Sequence, residues 1–415
     1  MVLKENVIFN YAFDLLHYCP ALFSQQEPKK MSTAVNPPAT EVKTVRPFVV
    51  EFSTVLLQNL FNEHTDNHDS YRFGPAKPVS RPSRLKAYLK MKLRSRGYEN
   101  TTAVGPAINQ VTKQSALLGH CEYLYNLLAD DYSRRLLVKV CAFRILGKTK
   151  IKLPMNSPAF WETIARIERD IASKEDFIQT GFLGDWKLFR HDLRALGYEV
   201  ELYLHSIGVY YRFVYKGYAY NQGGVKIEAV EGDHVIDAGG CYGDTALFFA
   251  YQAGKNGKVH CLEFVDDNIT ILTRNTKLNP ELEKRIDLAP NPLWSTEGVP
   301  VYYESNGPAT SVSMERISEK SKMVPTVTID GLVESGRVAK VDFIKMDIEG
   351  AEVEALKGAE QTLRKFRPRL AICLYHRPSD FETIPKFIDS LGLGYRFYFN
   401  HYTMHAEESV LFCIR

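Results

Sequence analysis

Through the carboxy-terminal half of the chain, short β-branched or aromatic runs alternate with segments whose apolar positions recur at helical spacing. After Gly232 this pattern predicts strands at 233–237, 258–263, 285–289, 341–346 and 369–375, and helices at 244–254, 266–278, 350–365 and 380–390. Strands separated by helices imply an α/β fold: an open, mostly parallel sheet covered by helices on both faces. The last two strand-like runs, 395–402 and 409–414, are joined by a short polar turn with no room for a crossover helix. They are therefore expected to pair antiparallel, closing the domain with a hairpin. Between the third and fourth predicted strands lies an insertion, 296–328, that contains Gly298, Gly307, Pro308 and the Ser/Thr-rich stretch 310–313. Loops of this kind are where acceptors usually enter.

Ahead of that domain the period is different. Leu117, Leu118, Cys121, Leu124, Tyr125 and Leu128, then Leu136, Leu137, Val140 and Phe143, predict two helices broken near Asp130 and Asp131. A further helix is expected over 159–173, with Trp161, Ile164, Ile167 and Ile171 turned inward. Residues 199–204 and 209–215, β-branched and aromatic around Ser206 to Gly208, read as a β-hairpin. The polar, proline-bearing stretch 25–47 reads as a linker, and 84–96, basic with a Leu85, Leu89, Leu93 stripe, as a solvated amphipathic helix. Three segments follow: a poorly defined, partly disordered 1–110, a mainly helical accessory region 111–224 ending in the hairpin, and the α/β domain 225–415.

Composition adds little to this picture and removes several alternatives. At 45% hydrophobic and 24% charged residues, with a net charge of +3, the chain resembles an ordinary globular protein and gives no clear sign of a nucleic acid partner. Its seven cysteines are widely spaced and contain no C-x-x-C pair, which argues against a disulfide framework or a zinc cluster and points to a reducing, cytoplasmic setting. Lys4, Glu5, Asp14 and His17 interrupt any signal-peptide core, and no apolar run is long enough for a spanning helix. No transmembrane segment is expected.

The candidate chemistry lies at the ends of the predicted strands. Val235 to Asp237 ends a buried strand, Gly239, Gly240 and Gly243 permit a tight turn with close backbone approach, and Asp244 and Thr245 open a helix. Glu263 ends the next strand, where an acidic side chain accepts hydrogen bonds from ribose hydroxyls. The glycines do not follow the G-x-G-x-x-G order of nicotinamide enzymes, and the spacing D-x-G-x-x-x-G suits S-adenosylmethionine better. A third strand delivers Asp347 and Glu349 to the same edge, and the strand after it delivers His376. Glu352 has a purely local alternative, favouring the first turn of the following helix.

These motifs together resemble the FkbM family of methyltransferases. The resemblance rests on Val-Ile-Asp-Ala-Gly-Gly at 235–240, Phe-Ile-Lys-Met-Asp-Ile-Glu-Gly-Ala-Glu at 343–352, Leu-Lys-Gly-Ala at 356–359 and His-Ala-Glu-Glu-Ser-Val-Leu-Phe at 405–412. It implies a class I, Rossmann-like methyltransferase that uses S-adenosylmethionine to methylate a hydroxyl on a sugar, glycan or natural product. Asp237, Gly239, Gly243 and Glu263 match the cofactor positions; Asp347 and Glu349 match the acidic motif. Gly240 and Thr245 join the cofactor set by their place in the turn. Ser409 stands where the family more often has Thr, and the long amino-terminal part is unusual for it.

Two routes to the acceptor's proton remain open at this stage. Either His376 is a general base, or Asp347 with a second carboxylate holds a divalent ion such as magnesium that lowers the acceptor's pKa. His401 and His405, four apart near the final hairpin, either contribute to the site or lie in an exposed turn, and the exposed turn is the simpler expectation. The rival functions are an NAD(P)-dependent oxidoreductase or epimerase, and an inactive binding protein that keeps the fold.

Overall fold

The computed structural model describes residues 46–70, 101–182 and 186–415, and the side chains of the second stretch from 104 onward. The linker at 25–45 and the basic helix at 84–96 lie outside the described residues. The chain divides into two compact units, one of residues 1–126 and 134–153, the other of 127–133 and 154–415. In the first, helices Phe48–Asn59, Thr101–Lys113 and Ser115–Leu127 precede Asp131–Leu146, which begins in the second unit. Both helices predicted on either side of Asp130 are present, and Leu117, Leu118, Cys121, Leu124 and Tyr125 form the buried face of the earlier one. Asn67 holds the end of this unit by donating to the carbonyls of Lys148 and Ile151.

The second unit is built on a seven-stranded sheet in the order β13-β14-β12-β11-β6-β7-β8, where β6 is His234–Ala238, β7 Lys258–Leu262, β8 Ile286–Ala289, β11 Phe343–Met346, β12 Arg369–Cys373, β13 Arg396–His401 and β14 Ser409–Ile414. The five strands from β12 to β8 are parallel, and β14 pairs antiparallel with both β12 and β13. This is the open, mostly parallel α/β sheet expected from the sequence, with the antiparallel hairpin at its end. The chain runs outward from β6 through β7 to β8, then returns to place β11 on the other side of β6. That reversal makes the carboxyl ends of β6 and β11 the topological switch point, where open α/β sheets bind ligands. Helices Asp244–Gln252, Asp266–Lys277 and Asp380–Ser390 follow the prediction within a few residues, whereas 350–365 is two helices, Glu352–Lys357 and Glu360–Phe366. Gly358 makes the break: a Cβ there would fall 2.1 Å from the Trp294 carbonyl oxygen, so the backbone passes too close for a side chain. The edge strand β13 is not left open, because Ala129 donates to the Phe397 carbonyl and Ser133 Oγ accepts from the Phe399 amide.

Before the sheet, the second unit departs from the expectation in two places. Helix Pro158–Arg166, capped by Ser157, continues as a wide turn Ile167–Ile171, and β1 (Ala172–Gln179) starts where helix was predicted to end. β1 pairs with β2 (Lys187–Asp192), which pairs with β3 (Glu201–Leu204), so part of the accessory region is a three-stranded antiparallel sheet. The predicted hairpin over 199–215 is half wrong. Residues 201–204 are β3, but Ser206–Val209 and Tyr210–Val214 are helical. Ile207, Tyr210 and Phe213 are buried at helical spacing, and His205 caps the start by accepting from the Gly208 amide. Packing and a cap here override the β preference of the aromatic residues. A short hairpin, β4 (Tyr220–Gln222) with β5 (Val225–Ile227), leads into β6.

The insertion is an arm of two antiparallel strands, β9 (Pro300–Tyr303) and β10 (Lys322–Pro325). Its contacts are with the segment after β7: Ser305 donates to Asp267, and the Gly307 carbonyl accepts from Asn268. The arm thus stands beside Glu263. Among the described residues no helix is long and apolar enough to cross a membrane, and all six cysteines there are free thiols.

Candidate functional site

The glycine turn after β6 is shaped by its neighbours. Gly239 has φ +81°, and a Cβ on it would sit 2.0 Å from the Asp347 carbonyl oxygen; one on Gly240 would sit 2.2 Å from Cys261 Sγ. Gly243, at φ +82°, turns the chain into helix Asp244–Gln252. Only glycine lets β6 and the loop after β11 approach this closely. Glu263, 6% exposed, secures the turn: it accepts from the amides of Cys241, Phe264 and Val265 at 2.7–2.8 Å and from Asn268 Nδ2 at 3.3 Å. Burial pushes its carboxyl above the ordinary value, and those hydrogen bonds pull back in part. Beside it, Asn268 Oδ1 is buried without a hydrogen-bond partner. A buried acceptor left open next to an acidic strand end is a place a ligand's hydroxyl or amine fits.

Asp237 is fully buried and does not face this opening directly. Its Oδ2 accepts from the Thr245 hydroxyl at 2.7 Å, and its Oδ1 lies 3.1 Å from Lys345 Nζ. The latter is an ion pair, and the same ammonium donates to the Ala238 and Gly239 carbonyls, 2.9 and 2.6 Å away. Lys345 and Asp237 are register partners on adjacent parallel strands. Burial drives the Asp237 carboxyl up, while burial's opposite pull on Lys345 is overcome by the carboxylates of Asp237 and Asp347, so the ammonium stays charged. Lys345 was not singled out from the sequence. A lysine inside the apolar strand Phe343–Met346 was the available signal, because a buried charge requires a partner.

The second cluster forms around Asp347. Tyr218 donates to its Oδ2 at 2.6 Å and Tyr375 to its Oδ1 at 2.8 Å, while His376 Nε2 lies 3.4 Å from Oδ1. The His376 ring also lies 3.7 Å from Glu349 Oε1 and 3.0 Å from Glu352 Oε1. None of these contacts has hydrogen-bond angles, so charge holds the ring. Burial alone would lower the His376 pKa, but the Glu349, Glu352 and Asp347 carboxylates raise it to about 11. Burial alone would likewise raise Asp347, yet His376, Lys345 and the two tyrosine hydroxyls hold it at about 2. Three carboxylates around the ring favour its charged form, an arrangement that suits a histidine base poorly. Glu349 and Gly350, at φ +54° and +94°, swing the chain from β11 into helix Glu352–Lys357, and Glu352 fastens the swing by accepting from the Ile348 amide. The local role foreseen for Glu352 is therefore present, together with a contact on His376.

Metal chemistry finds no matching donor set. Among the described residues no group of three or more His, Cys, Asp or Glu side chains is arranged to hold a metal ion. His401 and His405, expected in an exposed turn, are buried instead, His401 bonding Ser409 and the His405 carbonyl. The structure therefore gathers Asp237, Thr245, Gly239, Gly240, Gly243 and Glu263 into one cluster and Asp347, Glu349 and His376 into a second. Lys345 and the Gly239–Asp347 contact join the two.

Residues 237–397, which contain both clusters, match the methyltransferase FkbM domain family. Over those residues the chain is similar to FkbM methyltransferases. A curated relative, the hexuronic acid methyltransferase AglP of Haloferax volcanii, is 30% identical over 151 residues, a match that covers 35% of this chain and 62% of that protein. The chain thus spans less than two thirds of that relative's length. Among solved structures, the FkbM methyltransferase of Methylobacillus flagellatus is similar with a TM-score of 0.44 and 17% identity, over 81% of this chain and 72% of that one. Aeropyrum pernix fibrillarin, solved with bound S-adenosylmethionine, is similar with a TM-score of 0.30 and 13% identity, over 59% of this chain and 99% of that one. Tyr218 and Arg212, which enter the site from before β6, lie outside the FkbM match.

Proposed function

We propose that the FkbM-like domain binds S-adenosylmethionine at the glycine turn and transfers its methyl group to a hydroxyl of a sugar acid presented at Asp347. The observation that carries this reading is the switch-point arrangement itself: a donor cradle at the end of β6 and a half-buried, ionised carboxylate at the end of β11, in contact through Gly239 and Lys345. The acceptor class follows the name of the curated relative, a hexuronic acid methyltransferase. Adenosylmethionine supplies a methyl group on a sulfonium for in-line displacement. Gly239, Gly240 and Gly243 let the backbone approach it, while Asn268 Oδ1, held beside Glu263, provides an open acceptor for its ribose and adenine end. Asp237 acts through Lys345 and Thr245, fixing the turn rather than touching the donor.

At the acceptor end Asp347 accepts the hydrogen bond of the attacking hydroxyl and takes its proton as the new C–O bond forms. A carboxylate of low pKa suffices, because an oxygen that is gaining a methyl group becomes strongly acidic during the transfer. The carboxylate still has lone pairs to spare beyond the two tyrosines. His376, as an imidazolium held by Glu349 and Glu352, keeps Asp347 ionised and stabilises the charge around it. Isothermal titration with adenosylmethionine and with NADH tests the donor assignment. Heat with adenosylmethionine and none with NADH is expected; the reverse pattern would make the site a nicotinamide site and end this reading.

A further inference from the structure

The segment between the three-stranded sheet and β6 sends one tyrosine into the heart of the site in a conformation a tyrosine rarely adopts. Tyr218 is 1% exposed and has φ +71°, and Lys216, two residues earlier, has φ +54°. Bulky residues avoid this region, and where one is held there the surrounding structure over-determines it. Here the Gly217 amide donates to the Tyr211 carbonyl and the Ala219 amide to the Lys216 carbonyl, which together fix the tight turn. The Arg212 guanidinium lies 4.6 Å from the centre of the Tyr218 ring, and Lys345 Nζ lies 5.3 Å from it. Arg212 is itself anchored 2.8 Å from Asp244, the first residue of the helix after the glycine turn. One ring thus touches the cation that fastens the donor turn and carries the hydroxyl that binds the acceptor-side carboxylate.

We propose that Tyr218, from outside the FkbM match, is a positioning residue for methyl transfer: its hydroxyl fixes the Asp347 carboxylate in the orientation that the acceptor hydroxyl meets. This rests on the methyltransferase reading above. Tyr375 holds one carboxylate oxygen and Tyr218 the other, so together they set the plane of the group, and Tyr218 is the member supplied by the accessory region. The strained turn is what brings the hydroxyl to that oxygen; without it only the Asp347 oxygen facing Tyr375 and His376 would be held.

Tyr218→Phe keeps the ring, its two cations and the strained backbone, and removes only the donor. Tyr395→Phe is the control, because that buried hydroxyl donates to the Pro368 carbonyl and touches no site carboxylate. Methyl transfer is followed with labelled adenosylmethionine and methyl α-D-glucuronide, together with titration of adenosylmethionine alone. We expect Tyr218→Phe to lower kcat by about tenfold or more, with donor affinity and acceptor KM within about twofold and the acid limb of the kcat–pH profile moved up by about one unit. Tyr395→Phe should match the wild type. If Tyr218→Phe matches the wild type in kcat and in pH profile, or if both variants lose the same activity, the positioning role is overturned while the methyltransferase reading stands. If the wild type neither binds adenosylmethionine nor transfers its methyl group, that reading is overturned and the role of Tyr218 goes with it.

Discussion

At the scale of single residues, the site is a set of buried charges that are tolerable only in company. Removing one member of a buried pair leaves the other uncompensated, at a cost of about 3–5 kcal/mol, whereas replacing both with apolar groups is often neutral. Lys345→Met should therefore destabilise the protein by about that amount in urea unfolding, and Asp237→Leu combined with Lys345→Met should recover most of the loss. Asp237→Leu, alone or in that pair, should abolish adenosylmethionine binding, while Asp347→Asn should spare binding and remove turnover. His376 gives a pH signature. Its folded-state pKa, about 11, lies above the ordinary value of 6.5, so the stability it contributes is fully present below about pH 6.5 and is lost as pH rises toward 11. The stability gap between wild type and His376→Gln should be widest near pH 6 and shrink steadily toward pH 10. A gap that widens with pH would mean that the ring is neutral and would restore it as a candidate base.

At the scale of elements, the carboxy-terminal strands and their order of use were legible because each carries its own signal. Val235 and Ile236 lead into Asp237 and the mostly apolar Phe343 to Met346 into Asp347, and the hairpin at 396–414 has too short a turn for anything but antiparallel pairing. The helical stretch 206–214 was not legible. Its aromatic residues favour a strand, and only the tertiary burial of Ile207, Tyr210 and Phe213 decides for a helix. Tyr218 was hidden for the same reason, since nothing in Gly-Tyr-Ala-Tyr announces a left-handed tyrosine aimed 129 residues ahead at Asp347. The glycine turn was read as a ligand cradle, but the structure adds an internal demand: Gly239 must clear the Asp347 carbonyl. Gly239→Ala should then disturb both clusters at once. It should abolish adenosylmethionine binding by calorimetry and lower the unfolding midpoint, whereas a glycine that serves only the ligand would leave stability unchanged.

At the scale of the whole molecule, the reading joins a donor site, an acceptor-side carboxylate and an accessory segment that reaches into both. Adenosylmethionine should stabilise the folded chain by mass action, about 2.7 kcal/mol at a hundredfold excess over its dissociation constant, and NADH should not shift the thermal midpoint. The divalent-ion route predicts loss of turnover in excess EDTA; the site's side chains predict that activity is unchanged by the chelator. The most direct measurement is transfer of a labelled methyl group from adenosylmethionine to hexuronic acid glycosides, with neutral hexose glycosides alongside. The account predicts label on a hydroxyl of the sugar acid with the wild type, and none with Asp347→Asn even though that variant still binds the donor. Equal labelling by Asp347→Asn, or none with the wild type while NADH binds, would contradict it.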